Sequence, residues 1–199
     1  MNCFYVMSLL FILLLGPVGT FAQEATEGIG FCSEYVAQKT MGFISDSEVV
    51  GKSCSGTFWI KKSSGGKFVV SAVIPVGSFD SGIRKRDVDI ERLFTSSSSK
   101  GLLRFDSKEL DATFLEQLKS GSAELPGVLT LKDVSRDVRF EVQLDSENKR
   151  ILATLETKLT DFGLEPPRVL GGFIAKVHPD FKIRVNVDAK VLSDFNPQE

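Results

Sequence analysis

Apolar and polar side chains alternate without interruption over residues 181–191 of this chain. Successive side chains of a β-strand point to opposite faces, so this alternation predicts a strand with one dry face and one wet face. The apolar positions of this strand are Phe181, Ile183, Val185, Val187, Ala189 and Val191. Because similar segments recur in a chain with few helical patterns, the sequence predicts an antiparallel sheet closed on an apolar interior.

Turn signals separate the segments that carry this pattern. The predicted strands cover residues 40–46, 55–61, 67–77, 102–107, 127–131, 138–144, 151–159 and 181–191. Pro75 predicts a bulge or an unpaired stretch near the end of the third strand, because proline cannot donate to a strand ladder. At eight strands, a closed barrel has an interior that side chains can fill or one small ligand can occupy. Whether this interior is full or hollow decides what the protein does.

Short helices are predicted between some of the strands. Residues 87–94 allow one or two helical turns, and a clearer helix follows Asp111, whose carboxylate can cap it, and ends at Gly121. Helices this short are marginal alone and must pack on the sheet. The predicted fold class is therefore all-β, an eight-stranded antiparallel barrel with one or two short helices.

The N-terminal segment is apolar and has no charged side chain before Glu24. Its apolar run ends at a Gly-Pro pair and is followed by small residues, which is typical of a secretory signal peptide cleaved after Ala22. An uncleaved anchor is the alternative, although the run is shorter than the about 20 residues that a spanning helix needs. We therefore expect a signal peptide over 1–22, a loose N-terminal segment over 23–39 and a barrel domain over 40–195.

The charge balance excludes one class of partner. The chain has 24 Lys and Arg against 26 Asp and Glu, a formal net charge of −2. A surface that follows nucleic-acid phosphates needs a clear basic excess, so no nucleic acid is expected. The basic run 84–86 is followed at once by Asp87 and Asp89, which is typical of a solvated loop.

Two cysteines remain if Cys3 is removed with the signal peptide. An even pair in an exported protein is usually a disulfide, so Cys32 and Cys54 are predicted to be bridged. Two separate thiols are the alternative.

The chemistry of common enzymes is missing from the sequence. His178 is the only histidine, which leaves no spare imidazole for a metal site or a Ser-His-acid triad. Residues 161–163 match the magnesium-binding tripeptide of protein kinases in letters, but the rest of that signature is missing. We therefore expect a protein that is not an enzyme and that uses no cofactor or metal.

Several short motifs together resemble the YceI-like family, the polyisoprenoid-binding lipocalin-like proteins. The matching segments are 56–58, 76–82 followed by Arg86-Asp87, 103–107, 127–131 and 161–164, in the family's order. Ser81 stands where the family usually has threonine, which keeps the hydroxyl. The resemblance implies a lipocalin-like barrel, exported to the periplasm, that holds a long isoprenoid or a similar amphiphilic lipid in an elongated apolar tunnel. Secretion is the alternative location.

A tunnel of this kind would be lined by inward-pointing apolar residues. The candidates are Phe58, Val70, Ala72, Ile74, Phe105, Leu129, Leu131, Phe140, Val142, Phe162, Phe173, Ile183 and Val185. Arg86 and Asp87 are either a polar rim at the tunnel mouth or an ion pair that holds a loop against the sheet. A non-enzymatic envelope or secreted module with a solid barrel core is the alternative function. Transient membrane contact and a homodimer both stay open.

Overall fold

The structure is a computed structural model that describes residues 28–41, 45–96, 101–169 and 175–195. The predicted signal peptide over 1–22 lies outside these residues. Within the described ranges, no helix combines the length and the apolar character that crossing a bilayer requires.

The described residues form one antiparallel sheet of nine strands that closes into a barrel. The strands are β1 (Ile29–Met41), β2 (Ser45–Lys62), β3 (Phe68–Pro75), β4 (Leu102–Ser107), β5 (Ser122–Leu131), β6 (Val134–Asp145), β7 (Arg150–Lys158), β8 (Arg168–Val169) and β9 (Ala175–Asp188). Strands β1 to β7 pair in sequence order, β7 pairs with β9, and β9 pairs with β1 to close the wall. Strand β8 is a two-residue addition beside β9. The predicted eight-stranded antiparallel barrel is confirmed.

The two predicted helices are present and lie at opposite ends of the barrel. Helix α1 (Arg84–Phe94) joins the end of β3 to the start of β4, and α2 (Ala112–Lys119) joins β4 to β5. The Asp111 carboxylate accepts the Thr113 backbone N–H at 2.9 Å, which is the predicted cap. Strand β3 ends at Pro75 and continues as a 3₁₀ turn over Val76–Ser78, as expected where proline ends a ladder.

The first strand of the barrel was missed by the sequence prediction. Strand β1 runs from Ile29 to Met41 through the segment predicted to be loose. Of the strand predicted over 40–46, residues 40–41 end β1, residues 45–46 begin β2, and residues 42–44 lie outside the described residues. The alternation of β1 is hard to see in the sequence because its inward face includes the polar Ser33 and Lys39, while Val36 on the other face is buried. The register shifts between Phe31 and Ser33 against β2 and between Ala37 and Lys39 against β9, but the extra residues lie in β2 and β9, so β1 itself keeps its period of two.

The end of the last strand also differs from the prediction. Strand β9 ends at Asp188, and Ala189–Phe195 form 3₁₀ turns. The Ala189 N–H donates to the Lys149 carbonyl at 2.9 Å, outside the β7–β9 ladder. Val191 stays buried in these turns, so the alternation marked its burial correctly but not its secondary structure.

A disulfide joins Cys32 of β1 to Cys54 of β2, as predicted. The two cysteines are 22 residues apart in sequence and belong to neighbouring strands. The bridge therefore fixes the first hairpin of the barrel close to the shift in its register.

Candidate ligand-binding cavities

The barrel interior contains an apolar cavity of about 120 Å³ beside α2, here called the α2 cavity. Its wall consists of inward-facing strand residues, its floor includes Leu115 and Leu118 of α2, and Val191 adds to it from the C-terminal turns. No polar side chain lies among its lining residues in the described part of the chain. An engineered apolar cavity of about 150 Å³ stays dry and binds benzene, so this space suits a piece of hydrocarbon rather than water.

Most of the predicted lining residues surround this α2 cavity. They are Phe58, Val70, Ala72, Ile74, Phe105, Phe140, Val142, Ile183 and Val185. That they touch a ligand stays a prediction.

The remaining predicted lining residues are placed differently. Leu129 and Leu131 are 0% exposed and Phe162 is 1% exposed, and none of the three lines the α2 cavity or the second cavity described below. They form a filled part of the interior. Phe173 lies outside the described residues.

A second cavity, of about 380 Å³, lies beneath α1 and is here called the α1 cavity. Its volume falls in the range of about 300–1,000 Å³ that is usual for small-molecule sites. Strand β1 contributes Tyr35, Ala37 and Lys39 to its wall. Helix α1 contributes Ile90, Leu93 and Phe94 as its cover.

Helix α1 buries its apolar side chains only partly over the α1 cavity. Ile90, Leu93 and Phe94 form the apolar stripe of the helix and point toward the barrel, yet each is only half-buried, and α1 has no fully buried side chain. In contrast, α2 buries Leu115 and Leu118 at the other end, at 7% and 2% exposure. A helix usually buries its apolar stripe against the core. The stripe of α1 therefore faces open volume.

The two cavities meet inside the barrel. Among the described residues, Leu103 of β4 and Ile183 of β9 are the two that line both. Both side chains are largely buried, at 7% and 2% exposure. Leu103 and Ile183 therefore lie between an apolar chamber beside α2 and a partly charged chamber beneath α1. That the two act as one elongated tunnel for a ligand stays a prediction.

Of these two cavities, the α1 cavity is the one with charged residues in its described lining. Lys39, Lys85, Arg86 and Asp89 line it, whereas the α2 cavity has an entirely apolar wall in the described structure. Tyr35 and Lys39 were missed from the sequence. The signal that could have identified them is the inward alternation of residues 35, 37 and 39, which becomes visible only when β1 is recognised as a strand.

Arg86 and Asp87 both bind Ser81 in the loop before α1. The Arg86 Nε donates to the Ser81 hydroxyl at 2.7 Å, and an Arg86 terminal nitrogen donates to the Ser81 carbonyl at 2.6 Å. The Asp87 carboxylate accepts the Ser81 N–H at 3.1 Å and also accepts a bond from the Ser81 hydroxyl. Ser81 therefore connects the two residues in place of the direct ion pair weighed from the sequence. Arg86 also lines the α1 cavity, and Asp87 does not.

The Tyr35 hydroxyl is the other polar group at this end. Its oxygen is buried and makes no hydrogen bond of good geometry to a described residue. Burial raises the pKa of Tyr35 above its ordinary value, while the nearby Ser81 and Arg86 act to lower it and Asp87 to raise it. A phenol with a raised pKa keeps its O–H as a hydrogen-bond donor.

The described residues contain no group of three or more His, Cys, Asp or Glu side chains placed to hold a metal ion. His178 lies at the barrel surface, where its Nε2 is 2.8 Å from the Thr40 hydroxyl and 3.9 Å from the Asp46 carboxylate. The site has the features of a binding cavity, which are a mostly apolar volume and a charged end.

Comparison with known proteins agrees with this architecture. The family model of the YceI-like domain matches residues 24–189. No curated protein matches the chain significantly in sequence.

Solved structures share the fold at low sequence identity. BcnA of Burkholderia cenocepacia is 14% identical with a TM-score of 0.55, and the match covers 77% of this chain and 94% of that one. A polyisoprenoid-binding domain from Saccharophagus degradans is 16% identical with a TM-score of 0.53, covering 79% and 95%. The YCEI protein of Campylobacter jejuni is 16% identical with a TM-score of 0.52, covering 74% and 88%. At such identities the likeness concerns the fold.

Proposed function

Because this chain belongs to the YceI-like family, we propose that it is a binding protein that carries a polyisoprenoid or a similar amphiphilic lipid. The tail occupies the α1 cavity and extends past Leu103 and Ile183 toward the α2 cavity. The head group stays at the charged end, near Arg86. The similarity to a solved polyisoprenoid-binding domain supports this choice of ligand class.

The observation that carries the proposal is the unfilled space under the apolar stripe of α1. Ile90, Leu93 and Phe94 remain half-buried over a cavity of about 380 Å³. Apolar surface removed from water contributes about 25 cal/mol per Å². A hydrocarbon guest in the cavity would bury its own apolar surface and that of the α1 stripe, and both contribute to binding. Affinity then comes from the tail, and the polar groups at the mouth orient the head.

The location is part of the same proposal. We propose that the protein is exported to the periplasm, with secretion as the alternative. The Cys32–Cys54 disulfide supports an oxidising compartment.

A solid barrel that serves as a structural or interaction module is the second candidate function. The complete packing of Leu129, Leu131 and Phe162 favours it, because that part of the interior is filled. The two candidates differ in one measurable property, since a filled barrel takes up no lipid.

The experiment is extraction of the purified full chain with organic solvent, followed by mass spectrometry, and then titration of delipidated protein with an isoprenoid alcohol and an isoprenoid quinone. The proposal expects a stoichiometric lipid in the extract or saturable uptake of an added one. Neither a co-purified lipid nor uptake would reject it in favour of the solid module.

A further inference from the structure

Lys39 is a charged residue on the inner face of the barrel. It follows Tyr35 and Ala37 at intervals of two along β1, and all three line the α1 cavity. Its backbone lies opposite Ser47 of β2 and Val177 of β9, so β1 is paired on both sides at this position, two residues before the strand ends at Met41. Lys39 therefore places a charge on the inner face near one end of the barrel, where the half-buried stem can lie along apolar side chains.

The Lys39 ammonium has no carboxylate partner among the described residues within 4.0 Å. Two outward-facing lysines of the neighbouring strands do have such a partner: Lys52 is 2.9 Å from Glu34 and Lys182 is 2.6 Å from Glu156. Lys39 is half-buried at this cavity, so its ammonium is free to pair with an anionic group of a bound guest.

The other charged residues that line the α1 cavity also leave an excess of positive charge. Lys85 and Arg86 are cations, and Asp89 is the opposing carboxylate on this wall in the described structure. Asp89 lies 3.6 Å from Arg92, which already offsets its charge. Ser81 holds the Arg86 guanidinium in a fixed orientation through two hydrogen bonds. The cavity therefore offers an oriented guanidinium and two ammonium groups as donors.

We propose that the α1 cavity selects amphiphiles with an anionic head group, a phosphate or a carboxylate, and that Lys39 is the residue that determines this selectivity. The inference rests on the proposed function, because it names the head group of the same ligand. Charge-assisted hydrogen bonds from Lys39 and Arg86 would hold the anion, and the tail would point toward Leu103 and Ile183. A neutral alcohol or quinone would leave Lys39 without a counter-ion.

Ligands with the same tail and different heads test the selectivity. Farnesyl phosphate is compared with farnesol, and palmitate with hexadecanol, by titration of the delipidated full chain at low and high salt. The expected result is binding of the anionic member about tenfold tighter, which corresponds to about 1.4 kcal/mol. The preference should shrink as salt rises, because screening weakens exposed charge pairs. A stronger preference for farnesyl phosphate or for palmitate identifies which anion the cavity is built for.

Variants of Lys39 test whether this residue causes the preference for anionic ligands. Lys39→Met should bring the affinity ratio of charged to neutral ligand close to one, and Lys39→Arg should keep most of it. Lys62→Met removes the same charge from an exposed position at the other end of the barrel and should leave the ratio unchanged. Circular dichroism and thermal unfolding establish that each variant is folded.

The outcomes separate this inference from the proposed function. Equal affinities for charged and neutral ligands in the unaltered protein, or a ratio that survives Lys39→Met, would overturn the selectivity while carriage of lipid stands. If the protein binds neither member of either pair, the proposed function fails and the inference fails with it.

Discussion

The aromatic ring of Tyr35 lies on the backbone of Gly51, the residue directly opposite it in the β1–β2 ladder. The ring of Phe79 packs edge-on against Tyr35, with 5.3 Å between ring centroids. A methyl group at position 51 would overlap the Tyr35 ring. The missing side chain of Gly51 therefore fixes where the Tyr35 hydroxyl sits in the α1 cavity.

We expect Gly51→Ala to displace the Tyr35 ring and to weaken lipid binding. Overpacking of this kind usually costs about 1–3 kcal/mol of folding free energy. Titration with farnesol and chemical denaturation would measure the two effects. Gly30→Ala is the matched control in the same hairpin, because its new methyl group would lie 3.9 Å from the nearest heavy atom, the Gly56 carbonyl oxygen. Equal behaviour of the two variants would contradict the role assigned to Gly51.

Ala72→Trp should shorten the tails that the barrel accepts. Ala72 lines the α2 cavity between Phe58 and Phe105 on the neighbouring strands, so an indole there would occupy much of its 120 Å³. Uptake of long isoprenoids should fall while shorter alcohols still bind in the α1 cavity. Val73→Trp places the same ring on the other face of β3 and serves as the control. If long tails bind Ala72→Trp as well as the unaltered protein, they do not reach the α2 cavity.

Asp106 gives a prediction about pH. Burial acts to raise the pKa of its carboxyl, but hydrogen bonds from Arg104 and Ser71, both at 2.7 Å, and the Arg104 charge hold it below its ordinary value. A lowered pKa in the folded state stabilises the fold above the unfolded pKa of about 3.9, and this contribution is lost as pH falls through the folded pKa. With 39% of the Asp106 side chain exposed, it amounts to less than about 1 kcal/mol.

Asp106→Asn should therefore destabilise the protein near neutral pH, and the difference from the unaltered protein should vanish in acid below the folded pKa. Urea denaturation over a pH series measures it. Asp137→Asn is the control, since the Asp137 carboxylate is 79% exposed and 3.4 Å from the Lys108 ammonium. A difference that stays constant across the series would show that the Asp106 charge is not the cause.

The sequence predicted the parts of the fold that depend on local pattern. The strand 102–107 and the Asp111 cap follow from alternation and capping chemistry over a few residues, and both are present as predicted. Strand β1 was missed because polar Ser33 and Lys39 stand on its inward face and buried Val36 stands on the other, and Tyr35 and Lys39 were missed with it.

The pattern of apolar and polar residues could not distinguish inward residues that line a cavity from inward residues in the packed core. Phe105 and Leu129 are partners in the β4–β5 register and both point inward, yet Phe105 lines the α2 cavity and Leu129 is packed at 0% exposure. Whether an inward residue meets empty space depends on the volumes contributed by strands that face it across the barrel. These volumes are set by closure and shear of the whole sheet, which no single segment specifies.

Leu103 and Leu131 offer a final test of the predicted tunnel, because they are partners in the same register. Leu103 lines both cavities, whereas Leu131 lines neither. Truncation of either to alanine should cost about 2–5 kcal/mol in the free energy of unfolding, as for other buried leucines. Leu103→Ala alone should widen the passage between the cavities and tighten binding of long isoprenoids relative to short ones.

The measurement is a series of isoprenoid alcohols of increasing length, titrated against both variants and the unaltered protein at a temperature where all three are folded. Affinity should rise with each added isoprene unit, and this rise should extend to longer chains in Leu103→Ala than in Leu131→Ala. If the two variants give the same dependence on length, the passage at Leu103 does not limit the ligand.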